Sequence, residues 1–588
     1  MKKILDIIQD ETKKALRACG MDEKYAIVKE SDRPDLCEYQ CNGALAAARE
    51  YHKAPILMAE QIAEKLSESD FFEEVSAVKP GFVNIRLSAD ALSDYLKKML
   101  SDEDLGAEKT KDPQTVMIDY GGPNVAKPLH VGHLRSAVIG ESVKRILRFV
   151  GHTVYGDVHL GDWGLQMGLI ITELSERKPD LVYFDDSYTG DYPKEAPFTI
   201  SELEEIYPTA SAKSKEDEEY KERAMKATFE LQNGRRGYRA LLSHIMNVSV
   251  SDLKKNYERL NVSFDLWKGE SDAQPYIPDM VESMKKGGFA YESQGALVVD
   301  VAEEEDTKEI PPCMILKSDG AALYNTTDLA TMIWREKDYH PDRMIYVVDK
   351  RQELHFIQCF RCAKKTGIVP ESEELTFLGF GTMNGKDGHP FKTREGGVMR
   401  LSDLITDIDE TMYEKILQNQ TMDAAEAKKT AEIVGLAALK YGDLSNQPSK
   451  DYIFDLDRFT SFEGDTGPYI LYTDVRVKSI LSRYKEQGGS TEGLVPNAPA
   501  TESERSLMLA LSKFSEAVSS AAEHLSPNYL CAYLYDLCNR LNHFYHSTKI
   551  LTEEDEKKKK GYLALLILTL RVLEQCIDLL GFSAPDRM

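Results

Sequence analysis

Residues 116–158 read VMIDYGGPNVAKPLHVGHLRSAVIGESVKRILRFVGHTVYGDV. The apolar run at 116–118 predicts a buried strand, and HTVYGDV at its end predicts a second one. Between them, apolar side chains recur with the period of a helix, at Leu134, Val138, Val143, Ile146, Leu147 and Val150. A strand, a helix and a strand in this order form a βαβ unit, which places both strands parallel in one sheet. We therefore predict an α/β fold with a doubly wound sheet.

The same alternation of strands and helices extends over residues 113–453 and defines the predicted α/β domain. It resumes at MILKSDGAALYNT and continues through the strands RMIYVVD and TFLGFGT. A charged helical stretch at about 175–290 separates the two blocks, so we interpret it as an insertion whose charges lie on solvated helix faces.

Different patterns flank this domain. Residues 1–108 combine amphipathic helices with two strand-like runs joined at Pro80 and Gly81, which predicts a small α+β module. Residues 454–588 are helical throughout and predict a helical bundle. The expected order is thus an α+β module, a doubly wound domain with a helical insertion, and an all-helical domain.

Composition limits the class of protein. The chain has 588 residues and a formal net charge of -25, which argues against a protein that coats DNA but leaves room for a local basic surface. Nine scattered cysteines argue against a secreted disulfide framework. The CxxC at Cys359 and Cys362 lacks a second pair, so we interpret it as packing and expect no metal site.

Targeting signals are also missing from the pattern. The N-terminal run MKKILDIIQDETKK is broken by Asp6 and Asp10 and does not resemble a signal peptide. The apolar run YLALLILTL meets Arg571 well before the ~20 residues that a membrane span needs. We expect a cytoplasmic protein without a membrane partner.

The turn between the first strand and its helix carries the candidate chemistry. Asp119 ends the strand at the edge where open α/β sheets bind ligands. The following helix is expected to point its free N–H groups and positive dipole end at that edge, where phosphate would be held. His130 and His133 would donate hydrogen bonds to phosphate oxygens. Gly132 would let a flat base or ribose approach the backbone, and Lys127 would follow charge developing on the phosphates.

Two other interpretations of this turn remain open from the residues alone. HxxH is also typical of an ordinary helix start with two surface histidines. A metal site is the weaker interpretation, because no convincing third ligand accompanies the two histidines in the sequence.

Longer motifs favour the phosphate interpretation. HVGH after PNVAKPL resembles the HIGH signature of class I aminoacyl-tRNA synthetases, and PNVAKPLHVGHLRS resembles the arginyl-tRNA synthetase family in particular. Further blocks of that family are similar, in the same order, to LGDWGLQMG, SDGAALYNTTDLA, MIYVVDKRQELHF and GDTGPYILYTDVR, and KPGFVNIRLS resembles its N-terminal strand motif. The similarity covers nearly the whole chain. It implies a Rossmann-like catalytic domain, an N-terminal additional domain and a C-terminal anticodon-binding domain.

The resemblance implies an arginine pocket and an ATP site. A guanidinium has five donors in a rigid fork, which carboxylates and neutral acceptors bind best. The family's positions for arginine match Asp119, Tyr324, Asp328 and Gln352, with Asn124 and His133 nearer the arginine backbone and the adenylate. The family's positions for ATP binding match Pro123, Asn124, His130, Gly132, His133, Lys386 and Lys392. Taken singly, Tyr324 could be a packed strand aromatic and Asp328 an early-helix acid.

One family motif is altered here. The usual KMSKS loop corresponds to GKDGHPFKTREGG, residues 385–397, where Lys392 and Arg394 are the expected cations and Lys386 a third. Arginyl enzymes commonly lack the full motif, and a lysine upstream of HIGH, here Lys127, is thought to compensate. The loop could otherwise be a flexible hairpin.

The implied catalytic residues are His130, His133, Lys127, Lys392 and Arg394. Val158 stands where many family members carry asparagine.

The resemblance implies a two-step reaction. The carboxylate of L-arginine attacks the α-phosphate of ATP, which is held with Mg²⁺, to give arginyl-adenylate and pyrophosphate. The terminal ribose of tRNA(Arg) then accepts the arginine, and activation is expected to need the bound tRNA.

The same resemblance gives the flanking domains tRNA contacts. The candidates for anticodon contact are Tyr469, Tyr472, Arg476 and Tyr545, although these aromatics could equally be bundle core. The N-terminal module would touch the tRNA elbow, and we expect a monomer.

Three rival functions remain at this point. Another class I synthetase is the nearest, but AKP before HVGH and the paired acids favour arginine. A nucleotidyltransferase for a small acid would share the HxGH site and leave both flanking domains unexplained. An inactive RNA-binding paralogue would not be expected to keep Lys127, His130, His133, Asp328 and Gln352.

Overall fold

The computed structural model describes residues 1–318, 320–389, 399–419 and 422–588. Its N-terminal part is a four-stranded antiparallel sheet of order β1-β2-β4-β3 with helices beside it. The elements are α1 (Ile4–Ala18), α2 (Gly43–Tyr51), α3 (Pro55–Leu66), α4 (Ala89–Ser101), β1 (Val28–Glu30), β2 (Tyr39–Cys41), β3 (Phe72–Val78) and β4 (Phe82–Leu87). The hairpin predicted at Pro80 and Gly81 joins β3 to β4, so the α+β module is confirmed.

The strands of the central part fall into three sheets. They are β5 (Thr115–Tyr120), β6 (Thr153–Asp157), β7 (Ala290–Ser293), β8 (Ala296–Val299), β9 (Cys313–Leu316), β10 (Arg343–Asp349), β11 (Glu374–Phe380), β12 (Met383–Asn384) and β13 (Tyr452–Ile453). Four of them form a parallel sheet in the order β11-β10-β5-β6. This parallel sheet confirms the predicted α/β fold.

Helices fill the connections between these strands. They are α5 (Val131–Phe149), α6 (Leu165–Arg177), α7 (Ile200–Glu216), α8 (Glu218–Gln232), α9 (Arg236–Arg259), α10 (Glu270–Ala273), α11 (Ile277–Lys286), α12 (Tyr324–Tyr339), α13 (Glu353–Lys365), α14 (Leu401–Asn419), α15 (Ala424–Leu444) and α16 (Leu456–Phe459). The chain leaves β5 through α5 to β6 on one side and leaves β10 through α13 to β11 on the other. Because the winding reverses between β5 and β10, their carboxyl ends form the switch point where such sheets bind ligands.

The strand expected at MILKS does not join the parallel sheet. It is β9, which pairs antiparallel with β8, and β8 pairs antiparallel with β7 in a separate three-stranded sheet. Alternating apolar residues show that a strand has one buried face, but they do not identify the strand beside it. The expectation that this strand continues the doubly wound pattern was therefore wrong.

The C-terminal part is a bundle of helices, as predicted. They are α17 (Gly467–Glu486), α18 (Glu502–Ser512), α19 (Phe514–Glu523), α20 (Asn528–Ser547) and α21 (Glu556–Leu579). The N-terminal part packs against this bundle. Arg505 pairs with Glu38 at 2.5 Å, and Arg571 donates to the carbonyl oxygen of Asp102 at 2.9 Å. Among the described residues, the structure contains no helix with the length and apolar character of a membrane span.

Candidate active site

The two histidines of HVGH cap helix α5, which starts at the switch point. The Nδ1 of His130 accepts the backbone N–H of Gly132 at 3.1 Å, and the Nδ1 of His133 accepts the backbone N–H of His130 at 3.2 Å. In a neutral imidazole whose Nδ1 accepts, Nε2 carries the hydrogen. Each ring therefore presents an Nε2–H donor, as the sequence predicts for a phosphate contact.

The backbone at this helix start is not free, which corrects the expectation that its N–H groups hold phosphate. Val131 donates to the carbonyl oxygen of Met399 at 3.1 Å, Gly132 donates to His130, and the N–H of His133 donates to the carbonyl oxygen of His130 at 2.9 Å. The first three N–H groups of α5 thus have acceptors within the chain. An anion bound here would be held by side chains rather than by these amides.

Gly132 is required for a reason that the sequence did not suggest. A Cβ at this position would lie 2.8 Å from Cε1 and 2.9 Å from Nδ1 of His130. Contacts under 3.0 Å are essentially absent between real Cβ atoms and their neighbours. Any larger residue would therefore displace the His130 ring from its capping position.

Both histidines are neutral near pH 7. Burial, followed by the charge of His130, lowers the pKa of His133 to about 3. Burial and the nearby charge of Lys127 lower the pKa of His130. Of His130, His133 and Lys127, only Lys127 is charged near pH 7. Its Nζ lies 4.4 Å from the centre of the Tyr207 ring on α7. The helix that the insertion contributes thus reaches the predicted phosphate site.

The backbone around Pro123 and Asn124 is hydrogen-bonded to the LGDWG segment. The PNVAKPL and LGDWG motifs, which are separate in the sequence, therefore lie side by side. The Gly161 N–H donates to the carbonyl oxygen of Pro123 at 3.1 Å, and the Val125 N–H donates to the carbonyl oxygen of Gly161 at 3.0 Å. A Cβ at Gly161 would lie 2.1 Å from Oδ1 of Asn124. Val158 is fully buried before this segment, and nothing in the structure explains its place where asparagine is usual.

One face of α12 carries two of the predicted arginine-binding residues. Tyr324 and Asp328 are one turn apart, and Thr331 and Arg335 continue the same face. Tyr324 is the first residue of the helix and is 69% exposed, so it is not a packed strand aromatic. Gln352 is exposed at the start of α13, after the carboxyl end of β10. The structure thus brings Tyr324, Asp328 and Gln352 to elements that border the switch point.

Asp119 has a partner that the sequence did not reveal. Arg335 Nη2 donates to Oδ2 of Asp119 at 2.6 Å and to Oδ2 of Asp157 at 2.7 Å. Burial raises the pKa of Asp119, although the charges of Arg335 and His159 oppose this. The chain's own guanidinium therefore occupies one oxygen of an acid predicted to bind the substrate.

Glu270 lies beside two of the predicted arginine-binding residues, and sequence reasoning missed it. Burial, with the charges of Asp328 and Asp162, raises its pKa to about 8, and its carboxyl group accepts the backbone N–H of Trp163. Burial raises the pKa of the Tyr324 hydroxyl, and the charge of Glu270 adds to this shift. In the sequence KGESDAQPY it resembles an ordinary acid at a helix start, so no local signal identifies it.

The predicted cations of the altered KMSKS loop are only partly described. Lys392 and Arg394 lie outside the described residues. Lys386 Nζ lies 3.0 Å from Asp455 and 3.4 Å from Asp457. These ion pairs connect Lys386 to the N-terminal end of α16.

The far end of the same loop meets HVGH. The Leu401 N–H donates to the carbonyl oxygen of Leu129 at 2.9 Å, and residue 400 forms an antiparallel bridge with His130. The segment that follows the loop is therefore hydrogen-bonded to the strand-to-helix turn.

The four residues proposed to contact the anticodon lie together on α17 and α20. Arg476 stacks 4.9 Å from the centre of the Tyr472 ring and 5.2 Å from that of Tyr545. Tyr469 donates to Oδ1 of Asn539 at 2.7 Å. Tyr472 is 42% exposed and Tyr545 36%, so neither ring is bundle core. Tyr469, Tyr472 and Arg476 line a cleft of about 570 Å³.

The switch point of the parallel sheet and the histidine pair that caps α5 are typical of a class I tRNA synthetase. Models of three families match successive parts of the chain: the catalytic domain of class I (R) tRNA synthetases over residues 95–456, the DALR anticodon binding domain over 470–588, and the arginyl tRNA synthetase N terminal domain over 2–87.

Individual relatives agree with these matches. The arginine–tRNA ligase of Agathobacter rectalis is 65% identical over 597 aligned residues and covers 100% of both chains. That of Alkaliphilus oremlandii is 58% identical over 569 residues and covers 97% of both. The solved arginyl-tRNA synthetase of Plasmodium falciparum has a TM-score of 0.82 at 25% identity, with 100% of both chains covered. The chain belongs to the arginyl-tRNA synthetase family.

Proposed function

We propose that this protein attaches L-arginine to tRNA(Arg) through an arginyl-adenylate and consumes ATP. The single observation that carries the choice of arginine is the acidic pocket beside α12. Glu270 lies on α10, which packs against α12, and its carboxyl group feels the charge of Asp328. Both acids act on Tyr324, and Gln352 follows the carboxyl end of β10. A cationic guanidinium offsets the repulsion that arises when both carboxyl groups are ionised, and carboxylates bind it best.

Glu270 gives this pocket its charge selectivity. In the free protein near pH 7 its raised pKa of about 8 keeps most of the carboxyl group protonated. An arginine side chain favours the ionised form, and a neutral amino acid does not. Asn124 and His133 serve the backbone of arginine and the adenylate. Asp119 contributes the oxygen that Arg335 leaves open.

The phosphates of ATP lie against the start of α5 in this proposal. His130 and His133 donate Nε2–H bonds without adding charge, and Lys127 supplies the cation. Pro123, Asn124 and Gly132 shape the adenosine side, and Lys386, Lys392 and Arg394 act from the 385–397 loop. Mg²⁺ enters as part of the substrate MgATP.

The chemistry then follows from positioning. An oxygen of the arginine carboxylate attacks the α-phosphorus in line, the P–O bond to the β-phosphate breaks, and pyrophosphate leaves. Preorganised donors on the phosphate oxygens lower this barrier because they are already oriented when charge develops. The ribose hydroxyl of tRNA next attacks the arginyl carbonyl and releases AMP.

The flanking domains supply the tRNA contacts. Tyr472 and Tyr545 present exposed rings, with the guanidinium of Arg476 between them. Bases unstacked from an RNA loop bind to such aromatic and guanidinium planes. Tyr469 borders the same cleft, and the N-terminal module touches the tRNA elbow. We also propose a cytoplasmic monomer with no role on DNA.

A charging assay tests the proposal. Purified protein is incubated with MgATP, tRNA(Arg) and each of several radiolabelled amino acids, and acid-precipitable tRNA is counted. Arginine alone should be incorporated, and a tRNA of another specificity should not accept it. Charging with lysine or methionine in place of arginine, or no charging at all, would sink the proposal.

A further inference from the structure

The fold places a third cysteine beside the CxxC pair. Cys313 begins β9, and Cys359 and Cys362 lie on α13; all three are free and fully buried. The Nδ2 of Asn325 lies 3.5 Å from the sulfur of Cys313 and 3.7 Å from that of Cys359. The sulfurs of Cys313 and Cys359 therefore share the side-chain amide of Asn325 as a neighbour.

A histidine and an acid adjoin the cluster. His355 Nε2 lies 2.5 Å from Oδ2 of Asp328 and 3.8 Å from Sγ of Cys359. Donor atoms of all three residues lie within 4.8 Å of one another. The side chains of His355 and Asp328 are 24% and 21% exposed. One oxygen, one nitrogen and one sulfur thus lie close together, with the sulfur of Cys359 on the buried side and the partly exposed Asp328 and His355 on the side of the proposed arginine pocket.

These distances fit a tetrahedral zinc ion. Bonds of ~2.1 Å to nitrogen and ~2.3 Å to sulfur separate the two ligand atoms by roughly 3.6 Å, and nitrogen and oxygen ligands by roughly 3.3 Å. The nitrogen and sulfur here are already 3.8 Å apart. The carboxylate and imidazole, at 2.5 Å, need to separate by roughly 1 Å. A mixed sulfur, nitrogen and oxygen set favours zinc over the hard cations magnesium and calcium.

We propose that Asp328, His355 and Cys359 bind a zinc ion that competes with arginine. The competition rests on the proposed role of Asp328 in binding arginine, whereas the metal site does not. When zinc binds, a Zn–S bond forms as the S–H bond of Cys359 breaks, and the proton is released to solvent. Asp328 turns to the metal and leaves the arginine pocket. The protein is then inhibited by zinc at the amino-acid site.

Cobalt binding tests the metal site directly. The full-length protein is freed of metal with a chelator, desalted and titrated with Co²⁺, which reports tetrahedral thiolate ligation by its absorption. Wild type should show one equivalent with a thiolate-to-cobalt band, and Zn²⁺ should displace it. Cys359→Ala should lose the band and bind more than ~10-fold more weakly, since loss of even an outer partner of a metal site costs 10–100-fold. Cys359→Ser, which keeps the volume, should do the same.

Cys362→Ala is the matched control, because Cys362 lies one helical turn away and is equally buried, but is outside the three-donor group. It should keep the cobalt band. A wild-type protein without the band, or a Cys359→Ala protein that keeps it, would overturn the metal site.

Kinetics separates this proposal from the proposed function. Zn²⁺ should raise the KM for arginine in wild type and in Cys362→Ala, with kcat unchanged, and should have no such effect in Cys359→Ala. The basal KM for arginine should be the same in all three. Cobalt binding without any zinc effect on the arginine KM would overturn the competition. Arginine charging without cobalt binding would overturn the metal site and leave the proposed function intact.

Discussion

Arg335 donates a hydrogen bond from Nη2 to Oδ2 of Asp119 over 2.6 Å. Its guanidinium is fully buried, and the same nitrogen also donates to Asp157. Two acids at the carboxyl ends of the neighbouring strands β5 and β6 thereby share one cation from α12. The helix that carries Tyr324 and Asp328, two of the proposed arginine ligands, is thus tied to the sheet through Arg335.

Replacing Arg335 should destabilise the protein strongly. Arg335→Met leaves Asp119 and Asp157 buried without their cation, and breaking a buried pair costs about 3–5 kcal/mol. The midpoint of urea unfolding should fall accordingly. Arg33→Met removes an exposed pair with Asp35 and should leave the midpoint unchanged. Equal midpoints for the two variants would contradict this role of Arg335.

Arginine binding should release a proton near pH 7. Glu270, faced by Asp162, Asp328 and Tyr324, has a pKa of about 8 and is mostly protonated in the free protein. A bound guanidinium favours its ionised form, so up to one proton should leave at pH 7. Affinity should therefore rise with pH from about 6 to 8 and level off above.

Calorimetry of arginine binding in two buffers of different ionisation enthalpy, with chelator present, measures this proton. Glu270→Gln should abolish the release. Glu292→Gln, at an exposed position on β7, should keep it. Proton uptake, or the same release in Glu270→Gln, would contradict the assignment.

Asp328 should act on arginine rather than on ATP. Removing a hydrogen bond to a charged group costs about 1.5–3 kcal/mol, so Asp328→Asn should raise the KM for arginine roughly 10- to 150-fold. The KM for ATP should change little. Asp338→Asn, at an exposed position of the same helix, is the control. Similar effects of Asp328→Asn on both constants would show that Asp328 does not bind arginine.

The HVGH histidines should act as neutral donors. Burial lowers the pKa of His133 to about 3, so this ring has no charge to lose when the pH rises through 6.5, and burial also lowers the pKa of His130. At saturating arginine, kcat for pyrophosphate exchange should not fall between pH 6 and 8. A roughly tenfold fall over that range would indicate an imidazolium that binds phosphate.

Tyr472 should contribute to tRNA binding by stacking. Loss of one base–aromatic stack costs about 1–3 kcal/mol, so Tyr472→Ala should raise the KM for tRNA roughly 5- to 150-fold. The KM for arginine should stay the same. Tyr291→Ala, a similarly exposed tyrosine on β7, should leave tRNA binding unchanged. An unchanged tRNA constant in Tyr472→Ala would remove this ring from the interface.

The sequence predicted elements whose signals are local. The periodicity around α5 identified the βαβ unit, and the HVGH motif identified the donors of His130 and His133. The contacts that the sequence did not predict join residues far apart in the chain. Arg335 lies 216 residues from Asp119, and no local pattern pairs them. Glu270 was missed for the same reason, because only the fold brings it to Asp328.

Hydrogen bonding at α5 could not be read from the sequence either. A helix start predicts free N–H groups, but the carbonyl oxygen of Met399 and the ring of His130 occupy them. No local signal connects Cys313 to the CxxC pair, because Cys313 lies 46 residues before Cys359 in the chain.

ATP–pyrophosphate exchange, measured with each standard amino acid in the presence and absence of tRNA(Arg), tests the central claim most directly. Exchange should occur with arginine and only when tRNA(Arg) is present. Exchange with a different amino acid, or none under any condition, would contradict the proposal that this chain is an arginine–tRNA ligase.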